Sequence, residues 1–147
     1  MGGRESPLSL LLFYGLLAFV VFALPALGQT DQTKPALTLQ GKLLLVEGTG
    51  PVLRTPGKDY PLTARTSWLL HILEDKRLRN REIRAEGSIE ADGNFKVRHF
   101  LTVRDGKLYR VRYFCEVCNI EALEPGDCVC CQQPTELQEI PADKEGR

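Results

Sequence analysis

Apolar residues follow three rhythms in turn along the chain. From Leu8 to Leu24 they run almost unbroken, from Leu37 to Phe114 they mostly alternate with polar residues, and beyond Cys115 no rhythm persists. The alternating part predicts a β-rich domain over 37–114. Its first stretch, LTLQGKLLLV from Leu37 to Val46, begins with alternation and ends apolar. The residues EGTGP then mark a turn, and PVLRTPGKDYPL offers two short strand-like pieces around Pro56-Gly57. Next, TSWLLHILEDKRL sets Trp68, Leu69, Ile72 and Leu73 at helical spacing behind a Thr66/Ser67 cap. One helix of about three turns is expected there.

The second half of this domain reads as a three-stranded antiparallel meander from Glu82 to Phe114. With three-residue loops at Ala91 to Gly93 and Arg104 to Gly106, each Gly being left-handed, the partners follow by counting. Ile89 faces Phe95, Gly87 faces Val97, Ala85 faces His99 and Ile83 faces Leu101. Across the next turn Val103 faces Tyr109, Leu101 faces Val111 and His99 faces Tyr113. Every large apolar group except Phe100, Leu108 and Phe114 then lands on one face, whereas two-residue loops would set Phe95 against Glu90.

The flanks change the picture of where the chain acts. Arg4 precedes the apolar run, Pro25 breaks it, and the small residues Ala26 and Gly28 follow. That is the layout of a secretory signal peptide over 1–28, cleaved after Gly28. The run also approaches the roughly 20 residues that span a bilayer, so an uncleaved membrane anchor over 8–27 is the alternative. Either way the expected location is extracytoplasmic, secreted or periplasmic. Residues 29–36 read as a polar linker, and 135–147 as a polar tail whose end, PADKEGR, should fray.

Charge and motifs remove several functions. Lys plus Arg and Asp plus Glu both total 19, so no long-range field draws the protein to nucleic acid. The acids Glu74, Asp75, Glu82, Glu86 and Glu90 read as solvated faces, as do the basic stretch Lys76 to Arg81 and the alternating Arg110 and Arg112. No carboxylate pair is tied to a pocket, and no Gly-x-Ser-x-Gly, phosphate-loop or His-Glu-x-x-His motif occurs. No enzymatic activity is expected. His71, on the helix, and His99, on the buried face of the meander, read as satisfied core residues rather than ligands.

The chemistry gathers in CEVCNIEALEPGDCVCC, which holds all five cysteines. Cys115 with Cys118, and Cys128 with Cys131, form two Cys-x2-Cys pairs, and Cys130 is left over as an unpaired or redox thiol. Four thiolates so spaced suit tetrahedral zinc, because each pair grips the ion from a tight turn whose amides stabilise the sulfur charge. Pro125-Gly126 permits a reversal between the pairs, and Asn119 tolerates the left-handed backbone that such turns need. Iron fits the same four sulfurs. Outside the cytoplasm, disulfides such as Cys115 to Cys128 with Cys118 to Cys131 compete, leaving no metal at all. A reactive thiol is the third possibility, opposed by Glu116, Glu121, Glu124 and Asp127, which should raise thiol pKa values.

Two resemblances follow. The segment from Tyr113 to about Pro134 resembles a short zinc ribbon with rubredoxin-type knuckles, which implies metal ligands at Cys115, Cys118, Cys128 and Cys131. It departs from that pattern in having Asn119 and Gln132, not Gly, after each knuckle, and in the extra Cys130. The element order over 37–114, with a helix between the third and fourth strands, is similar to that of the OB fold. The expected protein is mainly β: a small curled sheet or OB-like barrel with one helix, and a C-terminal knuckle over 115–134 holding structural zinc. As a non-enzymatic exported module it would bind an envelope or extracellular partner. An electron-transfer or thiol-redox protein, and a disulfide-stapled OB-like ligand-binding module, are the alternatives.

Overall fold

In the computed structural model residues 36–144 are described, so the expected signal segment and most of the linker lie outside them. Eight strands follow in order: β1 Leu37–Val46, β2 Gly50–Arg54, β3 Asp59–Ala64, β4 Glu82–Ile89, β5 Phe95–Arg104, β6 Lys107–Cys115, β7 Ile120–Ala122 and β8 Glu136–Pro141. One helix, α1 Ser67–Leu73, separates β3 from β4. The protein is therefore mainly β with a single helix among the described residues, as expected.

Strand pairing closes a ring. β1 pairs antiparallel with β2 and with β4, β2 with β3, and β4 with β5, while β3 runs parallel to β5 with Leu62 opposite Phe95 and Ala64 opposite Val97. The order around the barrel is thus β1-β2-β3-β5-β4. Alternate residues of these strands fill the inside: Leu43, Leu53, Leu62, Ile83, Ala85, Phe95 and Val97 are all buried in one cluster. Leu69, Ile72 and Leu73 of α1 and Leu78 after it join that cluster, so the helix covers the barrel's interior with one apolar face.

The helix is shorter than its periodicity suggests. Thr66 caps it, its hydroxyl accepting from the Leu69 N–H at 3.4 Å. It ends at Leu73 because the Asp75 carboxylate accepts the Arg77 N–H at 2.9 Å and starts a separate 3-10 turn, Lys76–Leu78. Trp68, expected on the apolar face, is exposed, and Leu78 is buried instead. Asp75 is not a solvated acid either. The Tyr113 hydroxyl donates to it at 2.9 Å, tying this turn to β6. Burial would raise the Asp75 pKa, but hydrogen bonds from Arg77 and Tyr113 together hold it below its ordinary value.

The meander exists, with two corrections to its register. Its first turn is as expected: Gly93 is left-handed (φ 86°), and Ile89 faces Phe95 and Gly87 faces Val97. A bulge then intervenes, so that Glu86 faces His99 and Ala85 faces Phe100. Arg98 and His99 consequently both point outward, Phe100 enters the core, and His99 is an exposed residue rather than a buried one. Gly87 sits at this bulge because any Cβ there would lie 2.1 Å from the Lys96 carbonyl oxygen. The second turn has two residues, not three. Arg104 faces Lys107 across Asp105-Gly106, whose φ values of 52° and 72° are both positive, the geometry of a type I′ hairpin.

Beyond Tyr109, β6 runs past its pairing with β5 and extends the same sheet with two further strands. β7 pairs with its end, and β8 runs along its other edge with Leu137 opposite Tyr113 and Glu139 opposite Val111. The segment read as a polar tail thus contributes a strand. Its pairing covers an edge of β6 that would otherwise be open, and Leu137 packs against the core.

Candidate metal centre

Each cysteine pair occupies a turn that the surrounding strands hold in place. Cys115 ends β6 and faces Ile120 of β7, so the first pair lies in the hairpin between those strands. The second pair lies in a turn closed by a bridge between Asp127 and Pro134. That turn is fastened by Thr135, whose N–H and hydroxyl both donate to the Gly126 carbonyl at 2.9 and 2.8 Å. Asn119 (φ 55°) and Gln132 (φ 58°) both take the left-handed conformation immediately after their pairs. Departure from Gly at these positions therefore leaves the turn geometry intact, Asn being the more tolerant of the two residues.

These turns bring Cys115, Cys118, Cys128 and Cys131 together, with one sulfur from each all within 4.8 Å of one another. Cys115 Sγ is 3.5 Å from Cys131 Sγ. Sulfurs about 2.3 Å from a tetrahedral ion lie about 3.8 Å apart, so the four are close enough to hold a metal ion. Cys115 and Cys128 are buried, Cys118 and Cys131 half-buried, and Cys130 is exposed; all five are free thiols. The Cys118 N–H donates to Cys115 Sγ at 3.5 Å, and the N–H groups of Cys131 and Cys130 donate to Cys128 Sγ. Amides thus point at the first sulfur of each pair, as a turn that stabilises thiolate requires.

The thiol pKa values spread apart for the same reasons. Donation from the Cys131 and Cys130 amides lowers that of Cys128 to about 7. At Cys115 the Cys118 N–H favours the thiolate, but burial and the Cys131 and Cys128 thiols outweigh it, and the pKa is raised. Contact with Cys130 and then Cys131 raises that of Cys118. Two of the four neighbouring acids expected to raise these thiol pKa values are engaged elsewhere. Glu121 pairs with Arg110 at 2.9 Å, and Glu124 with His71 at 2.5 Å.

A measurable proton count follows. Without metal, Cys128 is mainly thiolate above pH 7 and mainly thiol below it, and a bound metal must displace whatever proton is present. Proton release per metal should therefore be greater at pH 6 than at pH 8, by about one proton. Calorimetry in buffers of different ionisation enthalpy would read this difference, and equal release at both pH values would contradict the role given to Cys128.

Neither histidine belongs to the cluster. His71 is exposed and bound to Glu124, and His99 is exposed on the bulge, so both differ from the core residues expected. Arg110 and Arg112, expected on an ordinary solvated face, reach across to β7 and β8. Both approach Glu121, and Arg112 donates to Gln138 at 2.7 Å. Compared with known protein families, curated proteins and solved structures, the chain gives no significant match to any of the three.

Proposed function

We propose that this is an exported, non-enzymatic binding or structural module whose C-terminal knuckles hold structural zinc through Cys115, Cys118, Cys128 and Cys131. The observation that carries the reading is the convergence of the four sulfurs from two turns, each closed by a left-handed residue. Four protein sulfurs leave no position for water or substrate, which favours a fastening role over catalysis. The fastened part needs one. Between Cys115 and Thr135, the larger apolar residues Val117, Ile120, Leu123 and Val129 are 75%, 37%, 76% and 92% exposed, so the segment has little core of its own.

The strand order β1-β2-β3-β5-β4 around the barrel, with α1 between β3 and β4, supports an OB-like assignment for the rest. Trp68 is the one aromatic among the exposed large apolar residues described, which gives little support to base stacking, and the zero net charge gives none to nucleic acid. The proposed partner is therefore an envelope or extracellular protein or ligand. Export rests on the apolar run Leu8 to Leu24, and no helix among the described residues is long and apolar enough to cross a membrane.

Removal of the metal tests the structural role. Chelation should raise amide exchange across 115–135 while the barrel strands stay protected. Unchanged exchange in 115–135 would contradict a structural metal, and visible absorbance of a four-thiolate iron site in the untreated protein would favour electron transfer instead.

A further inference from the structure

Beside α1 the strands part. On one edge of β5, β3 pairs with Phe95 to Val97 and β6 with Thr102 to Arg104, so residues 98–101 face no strand there. The facing edge of β6 meets β5 only as far as Tyr109 and β7 only from Tyr113, so 110–112 face none either. A cavity of about 240 Å³ opens between the two strands. Leu69 and Ile72 of α1, with Phe100 and Val111, give it an apolar floor, and the exposed Trp68 and Leu123 line it as well.

Charge around this cavity is one-sided. Arg98, Arg110 and Arg112 line it against a single acid, Glu121. Glu121 is already engaged with Arg110 at 2.9 Å and near Arg112, which also donates to Gln138. Arg98 is exposed and its guanidinium has no hydrogen-bond or ion-pair partner among the described residues. The bulge in β5 places it there, side by side with His99. An apolar floor under an excess of positive charge suits an amphiphilic anion. Pairing of Thr102 with Tyr109 closes one end, which favours a compact body over an extended peptide strand. An apolar cavity of about 150 Å³ accepts a benzene ring, so this larger one takes a body of about two fused rings.

We propose that the opening between β5 and β6 binds a small carboxylate with a flat apolar body, the body lying against Trp68, Ile72 and Phe100 and the carboxylate meeting Arg98. This rests on the reading of the chain as a binding module and does not involve the metal ion. The Arg98 guanidinium offers two parallel N–H donors that match a carboxylate, and the Trp68 ring offers a face for the apolar body.

The probe is 2-naphthoate, titrated into the full chain and followed by amide and indole NMR. Trp68 is the only Trp of the chain, so its indole N–H gives a single resonance. That resonance should shift together with the amides of 98–101 and 110–112. The neutral 2-naphthamide should bind at least about fivefold more weakly, and Arg98→Gln should lose at least about fivefold affinity for 2-naphthoate but none for 2-naphthamide. Equal affinity of the unaltered chain for the two probes would overturn the proposal whatever the variant does. So would shifts confined to other strands, or no shift at about 5 mM probe, a level at which even millimolar affinity shows. The same shifts produced by concentrating the protein alone would put a second copy of the chain in the opening, and would overturn it too. Zinc measured on the same sample separates this site from the metal reading. A zinc-free chain that binds 2-naphthoate through Arg98 would refute the metal and uphold the site, whereas a zinc-bound chain that ignores the probe would do the reverse.

Discussion

Replacing Cys115 with serine should abolish stoichiometric metal binding, whereas Cys130→Ser should leave the metal content intact. Cys115 ends β6 with only 2% of its surface exposed, receives the Cys118 N–H and lies 3.5 Å from Cys131 Sγ. A serine hydroxyl there is shorter and does not ionise at neutral pH. It therefore supplies neither the charge nor the reach of a thiolate, and apparent affinity should fall by more than about a hundredfold, beyond what loss of an outer partner causes. Without the ion, 116–135 is held only by the short β6–β7 pairing, the Gly126 to Thr135 clasp and exposed ion pairs, so its amides should exchange faster than those of the barrel. Cys130 is exposed and outside the four-sulfur group, so its thiol can be removed without touching the coordination shell. Metal analysis of the two variants checks this, and equal loss from both would sink the ligand assignment.

The second large effect concerns the bulge in β5. Phe100→Ala should destabilise the protein by about 3–5 kcal/mol, the usual cost of removing a buried phenyl ring. Val103→Ala should cost less than about 1 kcal/mol, since its two methylene equivalents are only half buried. Strict alternation from Phe95 would put Val103 inside and Phe100 outside, and so predicts the opposite order. Phe100 is 7% exposed because the bulge shifts every residue after Arg98 to the other face. Denaturant unfolding of the two variants decides the matter, and a larger loss from Val103→Ala would refute the bulged register. A loss of 3–5 kcal/mol is a large fraction of the stability of most domains, so Phe100→Ala should also show as a transition lowered by more than about 10 °C.

These two regions also mark what the sequence disclosed. Strand order, the helix between β3 and β4 and the hairpin at Gly93 were legible because each has a local signal: alternation, a Thr66 cap, a glycine at a left-handed position. The bulge had a signal as well. Arg98-His99 are two successive polar residues before Phe100, a break in alternation that reads as a change of face once a bulge is considered. Asp105-Gly106 is likewise the dipeptide that favours a two-residue hairpin, but keeping Val103 in phase with Tyr109 argued against it. Closure of the ring by β3 against β5 and the docking of β8 on β6 are non-local. Nothing within DYPLTA or ELQEIP announces a partner, and an open edge elsewhere in the chain supplies the reason for pairing. At the cysteines the spacing alone foretold the cluster. The left-handed Gln132 and the exposure of Cys130 depend on how the second turn closes, which spacing does not reveal.

The most direct test of a closed zinc site is elemental analysis combined with a free-thiol count, on protein purified from its own compartment without added metal. One zinc per chain is expected, with four thiols protected until denaturation and Cys130 alone reacting in the folded state. No metal and at most one free thiol after denaturation would contradict it, and would mean that disulfides join the cysteines instead.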